Sequence, residues 1–458
     1  MDVVVSSQVY VSGYTDEAKK WVDKNLILPN PDFYKKQRMG FWAGSTPREL
    51  FLYQDFAGSL VLPFGALRKF LQAFPGQCTG TSLIHEMRPY DYQSHIQLDD
   101  YQEAACRKIL QKKNGIVVIP CGGGKTQVAL EAVARIGGRA LWLTHTTELL
   151  QQSKKRAKSC FDCDHKSFGT ITAGKVQVGE SITFATVQTL SKIDLTDLKD
   201  AFDIIIADEA QHCAGTPTKV TMFYKILSQL SARYKIGLTA TPFRADGLEK
   251  SMYAILGDII VIIPKEQVNR TCTVDIHFID TGYEPIMNGM AFRADGTIDY
   301  AGLVADLTSN EARLTLVSDT INRITAPCLV LASRIDYLRA LAERHPGRVV
   351  CLSGMTLTKK NREIRDSALA KLNSGEIDCV FATYQLAKEG LDVPNLRYVV
   401  FATPEKDPTT VIQSAGRVAR KADGKEKGIV IDFVDDFGLF KKYLSKRKSI
   451  YKSLNYNM

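Results

Sequence analysis

Residues 115–126 read GIVVIPCGGGKT, and residues 202–209 read FDIIIADE. Each is a short apolar run that ends in polar residues, the pattern of a buried strand delivering its last residues to a sheet edge. In the first, Gly122, Gly123 and Gly124 allow positive φ and bring backbone N–H groups close to an anion. A helix opening at Lys125 adds the positive end of its dipole. Lys125 supplies a point charge for phosphates, and the Thr126 hydroxyl is a candidate magnesium ligand. Ile119 stands where the strict G-x-x-x-x-G-K-T pattern has its first glycine. In the second run, Asp208 is placed to hold magnesium and Glu209 to orient and deprotonate a water. The pair implies a bound nucleoside triphosphate.

Working outward, the runs 115–119, 140–144, 182–186, 202–207 and 235–239 alternate with helical stretches. That predicts a parallel sheet covered on both faces. The pattern restarts with 328–332, 349–352, 379–382, 398–402 and 428–432, and residues 264–272 read as a hinge. The second half has no phosphate loop of its own. Residues 1–95 have a different texture. A strand is expected over 3–11 and a helix over 16–28 behind a Thr15 cap. Strands 50–54 and 59–62 should flank a turn at Ala57-Gly58, with a short apolar helix over 64–74. The expected division is a small accessory α+β domain over 1–95, a nucleotide-binding domain over 96–265 and a second α/β domain over 266–458.

The 458 residues are 45% hydrophobic and 24% charged, which fits a globular chain and excludes a disordered one. The formal net charge of +9 suits a polyanionic partner. The start MDVVVSSQVYVSGY lacks a basic region and a long apolar core, so no signal peptide is expected. No apolar run approaches a membrane span. A cytoplasmic protein is expected, with scattered, reduced cysteines.

Three further stretches complete a set of motifs: KIGLTATPFR at 235–244, ATYQLAKEGLDVP at 382–394 and QSAGRVAR at 413–420. With PCGGGKT and DEAQH they fall in the order found in superfamily two helicases. The chain resembles the branch that holds XPB-type and phage UvsW-type DNA helicases and the type I and III restriction translocases. The resemblance spans about 98–435. It implies two tandem RecA-like parallel-sheet domains preceded by the small α+β domain, ATP and Mg2+ as cofactors, and branched DNA as partner. It also implies a monomeric motor working with replication or recombination proteins, in the host cytoplasm if the source is a phage.

Residue by residue, Gln102 of LDDYQ resembles the adenine-reading glutamine, although Asp99 and Asp100 stand where an arginine is frequent. Thr144, His145, Glu148, Gln188 and Thr189 resemble strand contacts of the first domain. Ser333, Arg334, Thr383 and Gly390 resemble those of the second. Thr239, Ala240 and Thr241 resemble the motif coupling nucleotide to nucleic acid. Gln211 takes the place of a frequent histidine and can make the same hydrogen bonds. Arg417 and Arg420, expected on one helix face with Gln413, resemble arginine fingers that reach the transferring phosphoryl group. Asp392 resembles a ribose contact.

Other features read more plainly. Cys160, Cys163 and His165 form half of a zinc set, with no second pair at matching spacing. The basic stretch 437–454 has helical apolar spacing and reads as a terminal helix docked on the second domain. Trp21, Phe41 and Trp42 could stack on bases, but core positions are expected for them.

Overall fold

A computed structural model describes the chain apart from residues 121, 163, 217–220, 242–246, 269–271, 286–290, 292–296, 346–348, 353–358, 389–392 and 423. The chain divides into two compact units, Met1–Pro120 with Gly124–Gln267, and Val268–Met458. The division falls within the expected hinge at 264–272. No helix among the described residues is long and apolar enough to cross a membrane.

The first unit is built on an eight-stranded sheet. Its order is Lys175–Gln177, Gly169–Thr172, Ile182–Thr186, Ala140–Thr144, Ile204–Asp208, Tyr234–Thr239, Asn114–Val118 and Ile259–Ile262. All neighbours are parallel except Lys175–Gln177, an edge strand. The five expected strands are present within one or two residues at each end. Register sets the chemistry: Asp208 lies opposite Leu238, and Thr239 opposite Val118. The ends of three neighbouring strands thus carry the acidic pair, the coupling motif and the phosphate loop to one edge.

The first 95 residues share this unit. Val3, Val11, Leu60 and Phe70 belong to the same hydrophobic cluster as Ile116, Leu141 and Ile205. The expected strand over 3–11 is instead a hairpin of Asp2–Val5 and Val9–Ser12, because Ser6 and Ser7 turn the chain and the Ser6 N–H donates to the Gln8 carbonyl. The helix runs Asp16–Leu26, and the Thr15 hydroxyl accepts from Ala18 N at its start. The Ala57-Gly58 turn joins Gln54–Phe56 to Ser59–Leu62, both turn residues at positive φ. A 3-10 turn, Phe64–Ala66, leads into helix Leu67–Ala73. Gly65 lies against the helix end at Gly257, where a Cβ would come within 2.2 Å of the Gly257 nitrogen. Only glycine permits so close a backbone approach.

The second unit holds a six-stranded parallel sheet in the order Thr273–Asp280, Lys427–Val434, Tyr398–Phe401, Cys328–Ala332, Cys379–Thr383 and Val349–Cys351. Two buried ion pairs tie helices to it. Arg313 clasps Asp435 with two bonds of 2.7 and 3.0 Å and donates to the Tyr337 hydroxyl at 2.8 Å. Arg447 clasps Asp432 with two bonds of 2.8 Å, and the Tyr451 hydroxyl adds a third at 3.0 Å. The terminal helix Gly438–Ser453 is therefore docked through Arg447 and Tyr451, with Lys441, Lys442, Lys446 and Lys452 facing solvent.

Candidate nucleotide site and nucleic-acid motifs

The phosphate loop follows strand Asn114–Val118 and opens helix Lys125–Ile136. Gly122 and Gly124 both adopt positive φ, +81° and +80°. A Cβ on Gly124 would sit 2.3 Å from Nε2 of Gln102, so the loop packs directly on that side chain. Gln102 is fully buried. Its Oε1 accepts from Asp99 N at 3.0 Å, and its Nε2 donates to the Tyr101 hydroxyl at 3.3 Å. This capping box starts helix Asp100–Lys112. As placed, the amide braces the loop.

Asp208 is buried at the end of its strand, and Glu209 beside it is half-buried. Two carboxylates in this position repel one another. Burial and Glu209 push the Asp208 carboxyl up to about 7, with Lys125 opposing. For Glu209, burial acts upward, but Lys125, the Gln211 amide and two histidines outweigh it and hold the group below the usual carboxylate range. The site thus keeps Glu209 ionised, next to a carboxyl, Asp208, that is short of positive charge. Glu209 also sits at φ +57°, ψ +58°, a left-handed conformation uncommon for a residue with a side chain. Such strain concentrates where a side chain must be aimed.

From Glu209 a continuous chain of hydrogen bonds leads away. Gln211 Nε2 donates to Glu209 Oε2 at 2.8 Å. The Thr239 hydroxyl lies 2.7 Å from Gln211 Oε1 and 2.9 Å from the Thr241 carbonyl, and it accepts from Thr241 N at 3.0 Å. Glutamine serves here because its amide both donates and accepts. Ala240 sits between the two threonines, half-buried.

The residues of this unit expected to contact nucleic acid gather on the adjoining strand ends. The Thr144 hydroxyl donates to the Thr146 carbonyl at 3.0 Å, while Thr146 caps helix Thr147–Cys160. Gln188 donates its amide to the His145 carbonyl. Thr186 and Thr189 share a hydroxyl bond of 3.0 Å. Glu148 is buried. The His145 ring packs on His212 with centroids 4.5 Å apart. Burial holds the His145 imidazole below its ordinary value, with Glu209 and Glu148 acting the other way. This histidine pair was not foreseen; His212 following Gln211 was the available signal.

In the second unit, Ser333 N donates to the Thr403 hydroxyl at 2.9 Å, and Arg334 immediately precedes helix Ile335–Glu343. The Thr383 hydroxyl accepts from Leu386 N at 3.4 Å. Helix Pro408–Gly416 carries Gln413 and ends before Arg417, so Arg417 and Arg420 do not share a helix. Gly416 begins a turn, which Ala419 N closes on the Gly416 carbonyl at 3.3 Å. Arg417 Nη2 donates to the Ala387 carbonyl at 2.8 Å, and both arginines are half-buried. Gly390 and Asp392 lie outside the described residues, as does Cys163. Cys160 is buried, and no cluster that could hold a metal ion occurs among the described residues. Trp42, expected in the core, is 91% exposed, whereas Trp21 packs edge-on against Phe70 and Phe74.

A phosphate loop and an acidic pair on one sheet, followed by a second parallel-sheet unit, are the arrangement of two RecA-like domains. The comparisons agree. Residues 95–244 match the type III restriction enzyme res subunit family, and residues 312–422 the helicase conserved C-terminal domain, together more than half of the chain. A putative ATP-dependent RNA helicase of Acanthamoeba polyphaga mimivirus is 28% identical over 75% of this chain, which spans 64% of that relative's length. The DNA 3'-5' translocase XPB2 of Sulfurisphaera tokodaii is 26% identical over 74% of this chain and 82% of its own. In fold, the chain is similar to an ATP-dependent type ISP restriction-modification enzyme bound to DNA, LlaBIII, with a TM-score of 0.57 at 16% identity over 85% of this chain and 32% of that one. The protein belongs to the superfamily two helicases.

Proposed function

We propose that the protein is an ATP-driven DNA helicase or translocase that unwinds or branch-migrates branched DNA in replication, recombination or repair. The observation that carries the motor reading is the chain from Glu209 through Gln211 to Thr239 and Thr241. A hydrolase that only cleaved ATP would not need its base tied to that motif.

In this reading Lys125 neutralises phosphate charge, and Glu209 orients the attacking water and takes its proton. The oxygen donors of Thr126 and Asp208 suit Mg2+, and the charge-starved Asp208 carboxylate fits a cation beside it. That ion, when bound, offsets the phosphate charge. Arg417 and Arg420 are assigned to the charge of the transferring phosphoryl group, Gln413 and Asp392 to the nucleotide, and Gln102 to the base. Thr144, His145, Glu148, Gln188, Thr189, Ser333, Arg334, Thr383 and Gly390 are assigned to the nucleic-acid backbone, whose recognition is largely independent of sequence.

The two relatives' names point one to RNA and one to DNA, and DNA is favoured by Thr239-Ala240-Thr241, where RNA-unwinding enzymes usually carry Ser-Ala-Thr. A second reading, a clamp that uses ATP only for release, shares the same site. Strand displacement on forked and four-way DNA, beside an RNA duplex, separates them. ATP-dependent displacement of the DNA is expected, abolished with hydrolysis in Lys125→Ala while DNA binding persists. Hydrolysis without displacement on any branched substrate sinks the helicase reading, and normal turnover in Lys125→Ala refutes the site.

A further inference from the structure

We infer that the loop between Met39 and Thr46 is a stacking site for unpaired bases of a DNA strand, which rests on the DNA-motor reading above. Trp42 is 91% and Phe41 62% exposed, while Phe64, Phe70 and Phe74 of the same region are buried. An aromatic pair left in water contributes little to folding and is available for a ligand. The loop is built rather than slack. Phe41 N donates to the Lys36 carbonyl at 2.9 Å, Thr46 N to the Ala43 carbonyl at 2.9 Å, and Lys36 Nζ to the Thr46 hydroxyl at 2.7 Å. At its base the buried Asn30 caps helix Pro31–Arg38, and its amide donates to the Pro47 carbonyl at 2.7 Å. The six-membered ring of Trp42 rests beside Gly44, where a Cβ would meet it at 3.3 Å. The indole is thus propped outward.

Charge identifies the occupant. Lys35, Lys36, Arg38 and Arg48 flank the aromatic pair along the chain, all exposed. Helix Pro31–Arg38 buries none of its residues, and Lys35, Lys36 and Arg38 lie exposed along it. Aromatic faces among cations suit a strand whose bases stack while its phosphates are neutralised, and stacking tolerates any base. On a fork or junction, such a loop engages bases opened ahead of the motor.

The test uses the full chain and fluorescence. Trp42 is open to solvent, whereas Trp142 is fully buried and Trp21 packed, so quenching by an oligothymidylate reports Trp42. Quenching is expected in the wild type and absent in Trp42→Phe, which keeps most of its affinity. Trp42→Ala with Phe41→Ala should weaken binding to forked and single-stranded DNA about tenfold or more, with an unchanged melting temperature and little effect on blunt duplex. Equal affinity in the double variant, or quenching that survives in Trp42→Phe, overturns the inference. So does loss of self-association in Trp42→Ala with DNA affinity intact, which would make the loop a protein contact. A wild type whose ATPase DNA does not stimulate fails the motor reading; a stimulated wild type matched by the double variant fails the loop alone.

Discussion

Replacing Lys235 should reveal a proton that the folded first unit refuses. The side chain is fully buried, its ammonium donating to the carbonyls of Ser7 at 3.1 Å and Leu227 at 2.9 Å and lying 4.4 Å from the centre of the Phe64 ring. No carboxylate pairs with it among the described residues. Burial holds its pKa down at about 7, against 10.5 when exposed. Between those values the unfolded chain keeps a proton that the folded chain has released. Stability therefore rises with pH across that window and is flat on either side of it. The cost of burying the charge is about 4 kcal/mol at pH 7.5 and falls by about 2 to 3 kcal/mol by pH 9.5. In Lys235→Met this dependence disappears. The two carbonyls left without a donor cost ~1–3 kcal/mol each, equally at every pH. The difference between variant and wild type thus isolates the titration. All three tryptophans, Trp21, Trp42 and Trp142, lie in this unit, so urea unfolding followed by their fluorescence reads it directly. Variant minus wild-type stability should fall by about 2 to 3 kcal/mol from pH 7.5 to 9.5. A difference constant with pH would show that Lys235 keeps an ordinary pKa, and the reasoning from burial would be refuted.

Two further outcomes concern buried polar links. Gln211→Leu removes both bonds that join Glu209 to Thr239. Stimulation of ATP hydrolysis by DNA should drop about tenfold or more, on the basis of ~1–3 kcal/mol for a lost buried bond, while unstimulated hydrolysis changes less. Turnover assays with and without forked DNA read the ratio. Arg313→Met strands the Asp435 carboxylate in the core and should destabilise the second unit by about 3 to 5 kcal/mol; adding Asp435→Leu should restore much of it. Circular dichroism in urea follows this unit, which holds no tryptophan.

The strands of both sheets were legible because a strand buried on both faces must be apolar and short, and only a few runs such as 140–144 and 182–186 qualify. The phosphate loop was legible because its chemistry demands glycine, lysine and threonine in sequence. What escaped notice depends on contacts far along the chain. Strand Thr273–Asp280 alternates Thr273, Asp275 and His277 with Val274, Ile276 and Phe278, and its pairing with Lys427–Val434 is invisible locally. Lys235 heads a motif and gave no sign that Ser7 and Phe64 would enclose it. Trp42 was expected inside because tryptophan usually is; the loop that exposes it is shaped by contacts such as Asn30 with Pro47 and Lys36 with Thr46. The helix carrying Gln413 stops at Gly416, where glycine makes continuation costly, so spacing misplaced the two arginines.

The integration of residues 1–95 into the first unit bears on how that region acts. Lys235, Gly237 and Thr239 share one face of strand Tyr234–Thr239, since alternate residues of a strand point the same way. At one end Lys235 holds Ser7 and Phe64 of the accessory region; at the other, Thr239 holds Gln211 and through it Glu209. Between them Gly237 admits the Ala210 methyl, which would lie 2.8 Å from a Cβ placed there. A packed strand of this kind moves as a rigid piece. The first 95 residues are therefore part of the same compact unit as Glu209, not a tethered module. Removing it would uncover the cluster that Val3, Val11 and Phe70 share with Ile116 and Leu141. Loss of hydrolysis in such a truncation would report unfolding and say nothing of DNA. Substitutions confined to the exposed loop leave that core intact, and for that reason they, rather than deletion, can show what the region contributes to the motor.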